Sequence, residues 1–333
     1  MLQGVGAGTA ATVGLAGCLG DESGPLESIT VAYVPIYPNM QQYIMDEQGY
    51  YDELPVDVTV ERFSSGPNVV TAFASGDVDV ALFGITPAMV LADKGTEASI
   101  LAANSRNGFK IMATDEVADR YDDNGADAFE AFENDAGRRI RFGAPPDGSV
   151  PDVVLRHWIE NELAAGDTDT TISKSTVPPA NAVQTIQNGD IDATIIQEPF
   201  ATIIAQEDGF REIEWSGDIL QSHPVTVLFA NQQVIDTPAV AESLVEQHAR
   251  ATEFVEDSPD AAAADAASVI GSGVTDELAR EALDSRASDF VSDPRSITEQ
   301  AATMGEIVTG LGNIEAPVAE STLFEFEPFD TIQ

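Results

Sequence analysis

Short apolar runs alternate with amphipathic stretches from residue 28 onward, and this alternation predicts an α/β protein. Runs rich in β-branched residues predict strands at 29–34, 56–62, 78–83, 98–103, 109–114, 139–144, 172–177, 192–196 and 225–230. Stretches that begin at a capping residue or a proline predict helices at 39–53, 68–76, 86–95, 149–165, 180–188 and 199–206. Residues 115–136 are acidic and predict a loop with a short helix, and the alanine-rich residues 236–312 predict helices throughout.

One supersecondary unit occurs twice, at residues 72–88 and 185–201. At an offset of 113 residues, Gly76-Asp77-Val78-Asp79 aligns with Gly189-Asp190-Ile191-Asp192. In each copy a helix ends at the glycine, and a short apolar strand then leads into a new helix. The strand's C-terminal end and the new helix's N-terminus meet at one edge of the sheet, where ligands bind in open α/β sheets. Two such units facing each other predict a cleft.

Composition narrows the possible functions. The 333 residues include 57 acidic and 15 basic side chains, which give a formal charge of −42. This surface repels phosphate backbones, so we expect no nucleic-acid partner. The shortage of lysine and the excess of aspartate resemble proteins of salt-loving archaea, in which molar salt screens the charge. A nucleophile elbow, a zinc-protease motif and a phosphate loop are all missing, and we expect neither an enzyme nor a cofactor or metal.

The N-terminal residues predict an export signal. Residues 1–17 are small, weakly apolar and uncharged, and Leu15-Ala16-Gly17-Cys18 resembles a lipobox, in which the cysteine is lipidated. A signal peptide starts with a positive region, so we expect the true start to lie upstream and export to follow the twin-arginine route. Residues 1–27 would then be signal and tether. Lipid on Cys18 would hold the protein at the extracellular face of the membrane, since no apolar run is long enough to span it.

Several segments resemble, in order and spacing, the ABC-transporter solute-binding proteins for nitrate, sulfonates, taurine, bicarbonate and thiamine precursors. In the first half they are VAYVP at 31–35, DEQGYY at 46–51, FSSG at 63–66 and ASGDVD at 74–79. In the second half they are PPDGSVPD at 145–152 and GDIDATIIQEP at 189–199. The resemblance covers residues 28 to about 260.

This resemblance implies a type II periplasmic-binding-protein fold, with two α/β lobes joined by two crossing segments. Lobe 1 would comprise residues 28–114 plus 223–333, and lobe 2 residues 115–222. The implied function is capture of a small anionic or zwitterionic nutrient, such as nitrate, a sulfonate or taurine, by hinge closure. A monomer would then deliver this solute to an ABC permease.

Three alternatives to this function remain open. In the first alternative, the protein is still a solute-binding protein, but its ligand is a thiamine-precursor pyrimidine or a related heterocycle. An enzyme of the thiamine-pyrimidine synthase type shares the fold, but it carries a cysteine-rich segment for iron, and this chain has no cysteine after Cys18. A regulatory effector domain would need a DNA-binding head, where this chain has its leader.

We expect ligand contacts from loop residues at strand ends. Main-chain N–H groups at helix N-termini attract anions, and the candidates of this kind are Ser65, Gly66, Ile85, Thr86, Gly148 and Ser149. Glu198 would accept hydrogen bonds from an amino or amide group, and Arg106 would pair with an acid group or with Glu198. The other candidates are Asn104, the aromatic residues Tyr33, Tyr37 and Phe200, and His223. Helix capping, core packing or an ion pair within the protein is the alternative role for each.

Overall fold

The computed structural model describes residues 26–271 and 273–333, which form two β-sheets flanked by helices. Cys18, the predicted lipidation site, lies outside the described residues. The strands are β1 Ser28–Tyr33, β2 Asp57–Arg62, β3 Val80–Gly84, β4 Ala98–Arg106, β5 Lys110–Thr114, β6 Arg141–Ala144, β7 Ser173–Thr176, β8 Ala193–Ile196, β9 Phe210–Trp215, β10 Pro224–Asn231 and β11 Asp289–Phe290.

The helices fill the connections and form most of the C-terminal third. They are α1 Met40–Glu47, α2 Gly66–Ser75, α3 Ile85–Asp93, α4 Asp115–Asn124, α5 Ala128–Ala136, α6 Val150–His157, α7 Thr168–Thr171, α8 Pro179–Gln187, α9 Phe200–Ala205, α10 Ser216–Ile219, α11 Gln232–Ile235, α12 Pro238–Asp257, α13 Pro259–Ile270, α14 Asp276–Leu283, α15 Thr298–Gly310, α16 Glu320–Leu323 and α17 Glu327–Thr331. Short 3-10 helices occur at Tyr37–Asn39, Tyr50–Glu53, Gly125–Asp127 and Pro294–Ile297, and a π-helical turn at Trp158–Glu162 follows α6.

The two sheets have similar strand arrangements. The first runs β11-β4-β10-β3-β1-β2 and the second runs β7-β6-β8-β5-β9. In each sheet three neighbouring strands are parallel, and the remaining strands pair antiparallel on one side: β10, β4 and β11 in the first sheet, and β5 and β9 in the second. The central strands β3 and β10 are almost entirely buried, which explains their near-continuous apolar sequences. The predicted α/β fold with two halves is therefore confirmed.

The repeated unit has the same hydrogen bonds in both sheets. Gly76 and Gly189 both adopt positive φ, 79° and 72°, a backbone conformation that favours glycine after a helix. Asp79 Oδ2 accepts a hydrogen bond of 2.8 Å from the main-chain N–H of Thr30 in β1. Asp192 Oδ2 accepts a bond of the same length from Arg141 in β6. In each copy the second aspartate of the turn therefore fixes the neighbouring parallel strand.

The chain crosses between the sheets earlier than the sequence analysis expected. Residues 110–114 were assigned to lobe 1, yet β5 pairs with β8 and β9 in the second sheet. The strand pattern cannot reveal this, because β4 and β5 follow each other closely in sequence. The first crossing therefore lies at 107–109, and the return crossing lies at 220–223, before β10 enters the first sheet. The two crossings touch, since Asn107 donates its main-chain N–H to the carbonyl of His223 at 3.0 Å.

Several predicted element boundaries were wrong. The predicted helix 39–53 ends at Glu47, because Gly49 takes a left-handed conformation and a separate 3-10 turn follows. Helix α2 begins at Gly66 rather than at Asn68. The acidic stretch 115–136 forms two helices, α4 and α5, because each has apolar residues on one face that pack inward. Strands β9 and β11 were not predicted.

Candidate functional site

A cavity of about 600 Å³ lies between the two sheets. Ser65 and Gly84 line it from the first sheet and its helices, and Ser149 and Gln197 line it from the second. Phe109, in the first crossing segment, lies on its wall as well. The volume is typical of a pocket for a small organic molecule. The predicted cleft is therefore present, and both copies of the repeated unit contribute to it.

The two halves touch beside this cavity. Thr86 Oγ1, at the start of α3, donates a hydrogen bond of 2.7 Å to the carbonyl of Gly148. Gly84 approaches Val150 so closely that a Cβ on the glycine would lie 3.1 Å from Val150 Cγ2. Gly148 itself has a φ of +76°, which favours glycine at this turn. Ile85, Thr86 and Gly148 do not line the cavity, and Thr86 and Gly148 instead hold the two halves together.

Four of the predicted contact residues do line the cavity: Ser65, Gly66, Ser149 and Phe200. Ser65 and Ser149 precede α2 and α6, but neither hydroxyl caps its helix. Ser149 Oγ is buried and has no hydrogen-bond partner among the described residues. Its hydrogen-bonding capacity is therefore unused among the described residues.

Glu198 caps a helix and pairs with a lysine, the structural alternative to a ligand contact. Its side chain is buried and does not line the cavity. Oε2 accepts a 2.9 Å hydrogen bond from the N–H of Thr202, and so caps the first turn of α9. Oε1 lies 2.9 Å from Lys110 Nζ, outside hydrogen-bonding geometry, so this attraction is Coulombic. Glu198 is therefore not placed to contact a ligand in the cavity, contrary to the expectation from the sequence. The basic residue beside Glu198 is Lys110 rather than Arg106.

The neighbouring residue, Gln197, was missed by the sequence analysis. It lines the cavity, its side chain is 2% exposed, and Nε2 has no partner among the described residues. A buried amide without a partner costs free energy, which a ligand acceptor would recover. The signal in the sequence was its place directly after the buried strand β8, at the edge where ligands bind.

Asn104, Arg106 and His223 do not line the cavity. Arg106 makes two hydrogen bonds of 3.1 Å to the carboxylate of Asp289. His223 lies in the return crossing and stacks on Phe109, with ring centroids 6.0 Å apart. Burial lowers the pKa of His223 to about 4, so the ring is neutral near pH 7.

Asn104 belongs to a buried polar network instead. Its amide donates to Asn39 Oδ1, so its own Oδ1 is the acceptor that faces His248 Nε2 at 2.8 Å. His248 must therefore carry its proton on Nε2. Burial lowers the pKa of His248 to about 3. This network supports the fold behind the site.

The two predicted tyrosines pack in the core and do not line the cavity. Tyr37 donates its hydroxyl to the carbonyl of Ala279, and burial raises its pKa far above the usual value. Tyr33 makes an edge contact with Tyr43 at a centroid distance of 6.2 Å.

The walls of the cavity are largely apolar and rich in proline. Eight of the chain's 18 prolines line it: Pro35, Pro67, Pro87, Pro145, Pro146, Pro151, Pro178 and Pro179. Phe63, Phe109 and Phe200 add aromatic surface. Among the described residues that line it, Arg62 is the one charged side chain. Arg62 is solvent-exposed and donates a 3.2 Å hydrogen bond to the carbonyl of Val269.

Residues 26–271 and 273–333 contain no group of three or more His, Cys, Asp and Glu side chains placed to hold a metal ion. None of the helices described there combines the length and the hydrophobicity needed to cross a membrane.

Known proteins resemble this chain in sequence and in fold. The bicarbonate-binding protein CmpA of Synechococcus sp. is 24% identical over 233 residues, which are 63% of this chain and 50% of CmpA. The chain spans half or less of the length of the curated relatives that it matches.

Two solved structures share the fold at low sequence identity. The periplasmic nitrate-binding protein NrtA of Synechocystis PCC 6803 has a TM-score of 0.73 at 18% identity, over 92% of this chain and 88% of NrtA. The periplasmic aliphatic sulphonate binding protein SsuA of Escherichia coli has a TM-score of 0.69 at 17% identity, over 90% of this chain and 92% of SsuA. The fold is therefore that of periplasmic binding proteins.

The family of the chain follows from a family model. The model of the NMT1-like family matches residues 22–271, which include both copies of the repeated unit and all of the described residues that line the cavity. This match covers well over half of the 333 residues. The chain belongs to the NMT1-like family.

Proposed function

We propose that this chain is the extracytoplasmic solute-binding component of an ABC import system. It captures a small nutrient between two lobes and delivers it to a permease in the membrane. The observation that carries the proposal is the cavity between the two sheets, lined from both sides. The relatives support it, because their names describe proteins that bind bicarbonate, nitrate and sulphonate.

Hinge closure is the proposed mode of capture. Lobe 1 consists of the first sheet with its helices, 28–106 plus 224–333, and lobe 2 of the second sheet, 110–219. The crossings between them are short, and Asn107 and Ser222 have positive φ values of 54° and 60° there. Rotation about two such crossings opens and closes a cleft without disturbing either sheet. The protein acts as a monomer in this proposal.

The ligand class with the most support from the relatives is a small anion or zwitterion. The relatives named above bind bicarbonate, nitrate and sulphonate, and the resemblance noted in the sequence adds taurine. A thiamine-precursor pyrimidine or a related heterocycle is the second candidate. The observation that favours it is the aromatic surface of Phe63, Phe109 and Phe200 in the cavity.

A thermal-shift panel at high salt tests the binding function. The panel contains nitrate, bicarbonate, taurine, an alkanesulfonate and a pyrimidine. A ligand that binds the folded state raises the melting temperature by mass action, so we expect one class to do so. If no member of the panel raises the melting temperature, the proposed function loses its support.

We further propose a lipid anchor on Cys18 that holds the protein at the extracellular face of the membrane. The support is the position of this single cysteine at the end of the apolar leader. Mass spectrometry of the protein from its native membrane should find a lipidated N-terminal Cys18. An unmodified cysteine would contradict this part of the proposal.

A further inference from the structure

The N-termini of four helices form much of the cavity wall, and each of these helices has a proline within its first three residues. The prolines are Pro67 in α2, Pro87 in α3, Pro151 in α6 and Pro179 in α8, and all four line the cavity. Proline has no main-chain N–H and is well tolerated in the first turn of a helix. The sequence analysis expected these N-termini to present N–H groups to the ligand. The prolines remove one such donor from each first turn and replace it with an apolar ring.

This wall offers few hydrogen-bond donors and little positive charge to a compact oxyanion. Anions bind at helix N-termini because several free N–H groups converge there. Here proline and aromatic side chains make up much of the wall, and Arg62, the one charged side chain among the described residues that line it, is exposed to solvent. The formal charge of −42 adds a repulsive field for any anion that approaches in dilute buffer. Nitrate or bicarbonate would lose its hydration shell on entering this cavity, and hydrogen bonds from the wall would recover little of that free-energy cost.

Two polar groups of the wall are buried without a partner among the described residues, and both lie on the side of the second sheet. Gln197 lines the cavity, and its Nε2 is buried and lacks a partner among the described residues. Ser149, directly before α6, also lines the cavity, and its Oγ is likewise buried without a partner among the described residues. The residue as a whole is more exposed than Gln197. An amide N–H donates a hydrogen bond, and a hydroxyl donates or accepts one. Together they match one polar group on an otherwise apolar ligand.

We propose that the cavity takes an organic solute with an apolar, ring-sized body and one hydrogen-bond-accepting group. The body lies against the proline and phenylalanine side chains, and the accepting group binds the Gln197 amide and the Ser149 hydroxyl. Compact inorganic oxyanions bind far more weakly. This inference rests on the proposed function and narrows its ligand, because it needs the cavity to be the binding site.

Displacement of a fluorescent dye tests the inference. The dye 8-anilino-1-naphthalenesulfonate has an aromatic body and an accepting group, and its fluorescence rises in apolar cavities. We expect it to titrate to a single saturable site at high salt. Benzamide and 4-toluenesulfonate, a neutral and an anionic probe, should displace it, whereas nitrate and bicarbonate in about hundredfold excess should not. Potassium chloride keeps the ionic strength equal in every arm.

Two substitutions identify the polar contact. Gln197→Leu keeps the side-chain size and removes the donor, so the affinity for the dye and for benzamide should fall about tenfold. Gln187→Leu makes the same change at an exposed position outside the cavity wall and should leave the affinity unaltered. If Gln197→Leu does not fold, Ser149→Ala replaces it, with a loss of the same sign expected.

The outcomes separate this inference from the proposed function. Displacement by nitrate or bicarbonate at concentrations similar to those of the organic probes overturns the inference and leaves the function standing. Equal affinities of wild type and of both cavity variants remove Gln197 and Ser149 from the contact and also overturn it. Failure of the dye to bind overturns the inference as well. If, in addition, no compound of the thermal-shift panel stabilises the protein, the proposed function fails with it.

Discussion

At the residue scale, Gln197 and Glu198 are neighbours with opposite roles. The sequence predicts a ligand contact for Glu198, whose carboxylate follows a buried strand and precedes a proline within the GDIDATIIQEP segment. The structure buries that carboxylate against Lys110 and the first turn of α9, and it is Gln197 that lines the cavity. Which of two adjacent polar side chains enters a cleft depends on the local backbone direction. The sequence pattern carries no information about that direction.

Replacement of Glu198 tests this structural role. Glu198→Gln removes the charge that faces Lys110 and keeps an acceptor for Thr202. We expect the free energy of unfolding to fall by about 1–3 kcal/mol, with solute affinity unchanged. Chemical unfolding and dye titration measure the two effects, and the exposed Glu207→Gln is the matched control. A loss of affinity without a loss of stability would place Glu198 in the binding site after all.

Two buried histidines predict a loss of stability in acid. Burial lowers the pKa of His223 to about 4 and that of His248 to about 3, both from an ordinary value of 6.5. The unfolded chain therefore takes up protons at a higher pH than the folded chain does. Stability is full above pH 6.5 and falls as the pH drops toward these folded-state values, by about 2 kcal/mol per histidine at about pH 5.

The variant His248→Gln isolates one half of this effect. Its free energy of unfolding should fall less than that of the wild type between about pH 7 and about pH 5. Urea unfolding at constant salt measures both slopes. Identical slopes for the two proteins would show that His248 does not titrate as its burial predicts.

At the scale of single elements, helices α6 and α14 start in different ways. Thr275 caps α14 by accepting a hydrogen bond from the N–H of Leu278, whereas Ser149 makes no cap bond to α6. The sequence predicted a helix cap or a ligand contact for Ser149, and could not choose between them, because the rotamer of a serine is set by its surroundings. The repeated Gly-Asp-x-Asp turn was predictable, since its glycine and its aspartate both act on neighbouring main chain.

Alanine substitution separates the two kinds of helix start. Thr275→Ala should lower the free energy of unfolding by about 1 kcal/mol, the usual value of a lost cap. Ser149→Ala should change it by less than about 0.5 kcal/mol, because no cap bond is lost. Chemical unfolding of the two variants side by side checks this. A loss at Ser149 equal to that at Thr275 would mean that Ser149 caps α6 in solution.

At the scale of the whole molecule, each sheet contains three parallel strands, and the strand that follows a crossing pairs antiparallel with one edge of these three. Strand β5 pairs with β8 in the second sheet, and β10 pairs with β3 in the first. The sequence predicted the two halves from the repeated unit, but it assigned β5 to the wrong half. Pairing between distant strands decides sheet membership, and apolar pattern alone does not encode it. The cleft between the halves was nevertheless predictable from the two strand-to-helix edges.

The net charge predicts that salt stabilises the whole molecule. At a formal charge of −42, the folded chain repels itself, and salt shortens the range of this repulsion from about 10 Å at 0.1 M to about 3 Å at 1 M. We expect the free energy of unfolding to rise by at least about 1 kcal/mol over that range of potassium chloride. Sucrose, which favours burial without screening charge, is the control. Equal stabilisation by both would contradict a role for charge screening.

A crystal structure with the strongest binder tests the central claim most directly. The account predicts ligand density between the two sheets, with the apolar body against Phe200 and an acceptor atom within hydrogen-bond distance of Gln197 Nε2. A second cavity of about 350 Å³, which Thr252, Arg280 and Phe290 help to line, offers a clear alternative location. Ligand density there, with the cleft between the sheets left empty, would contradict the account.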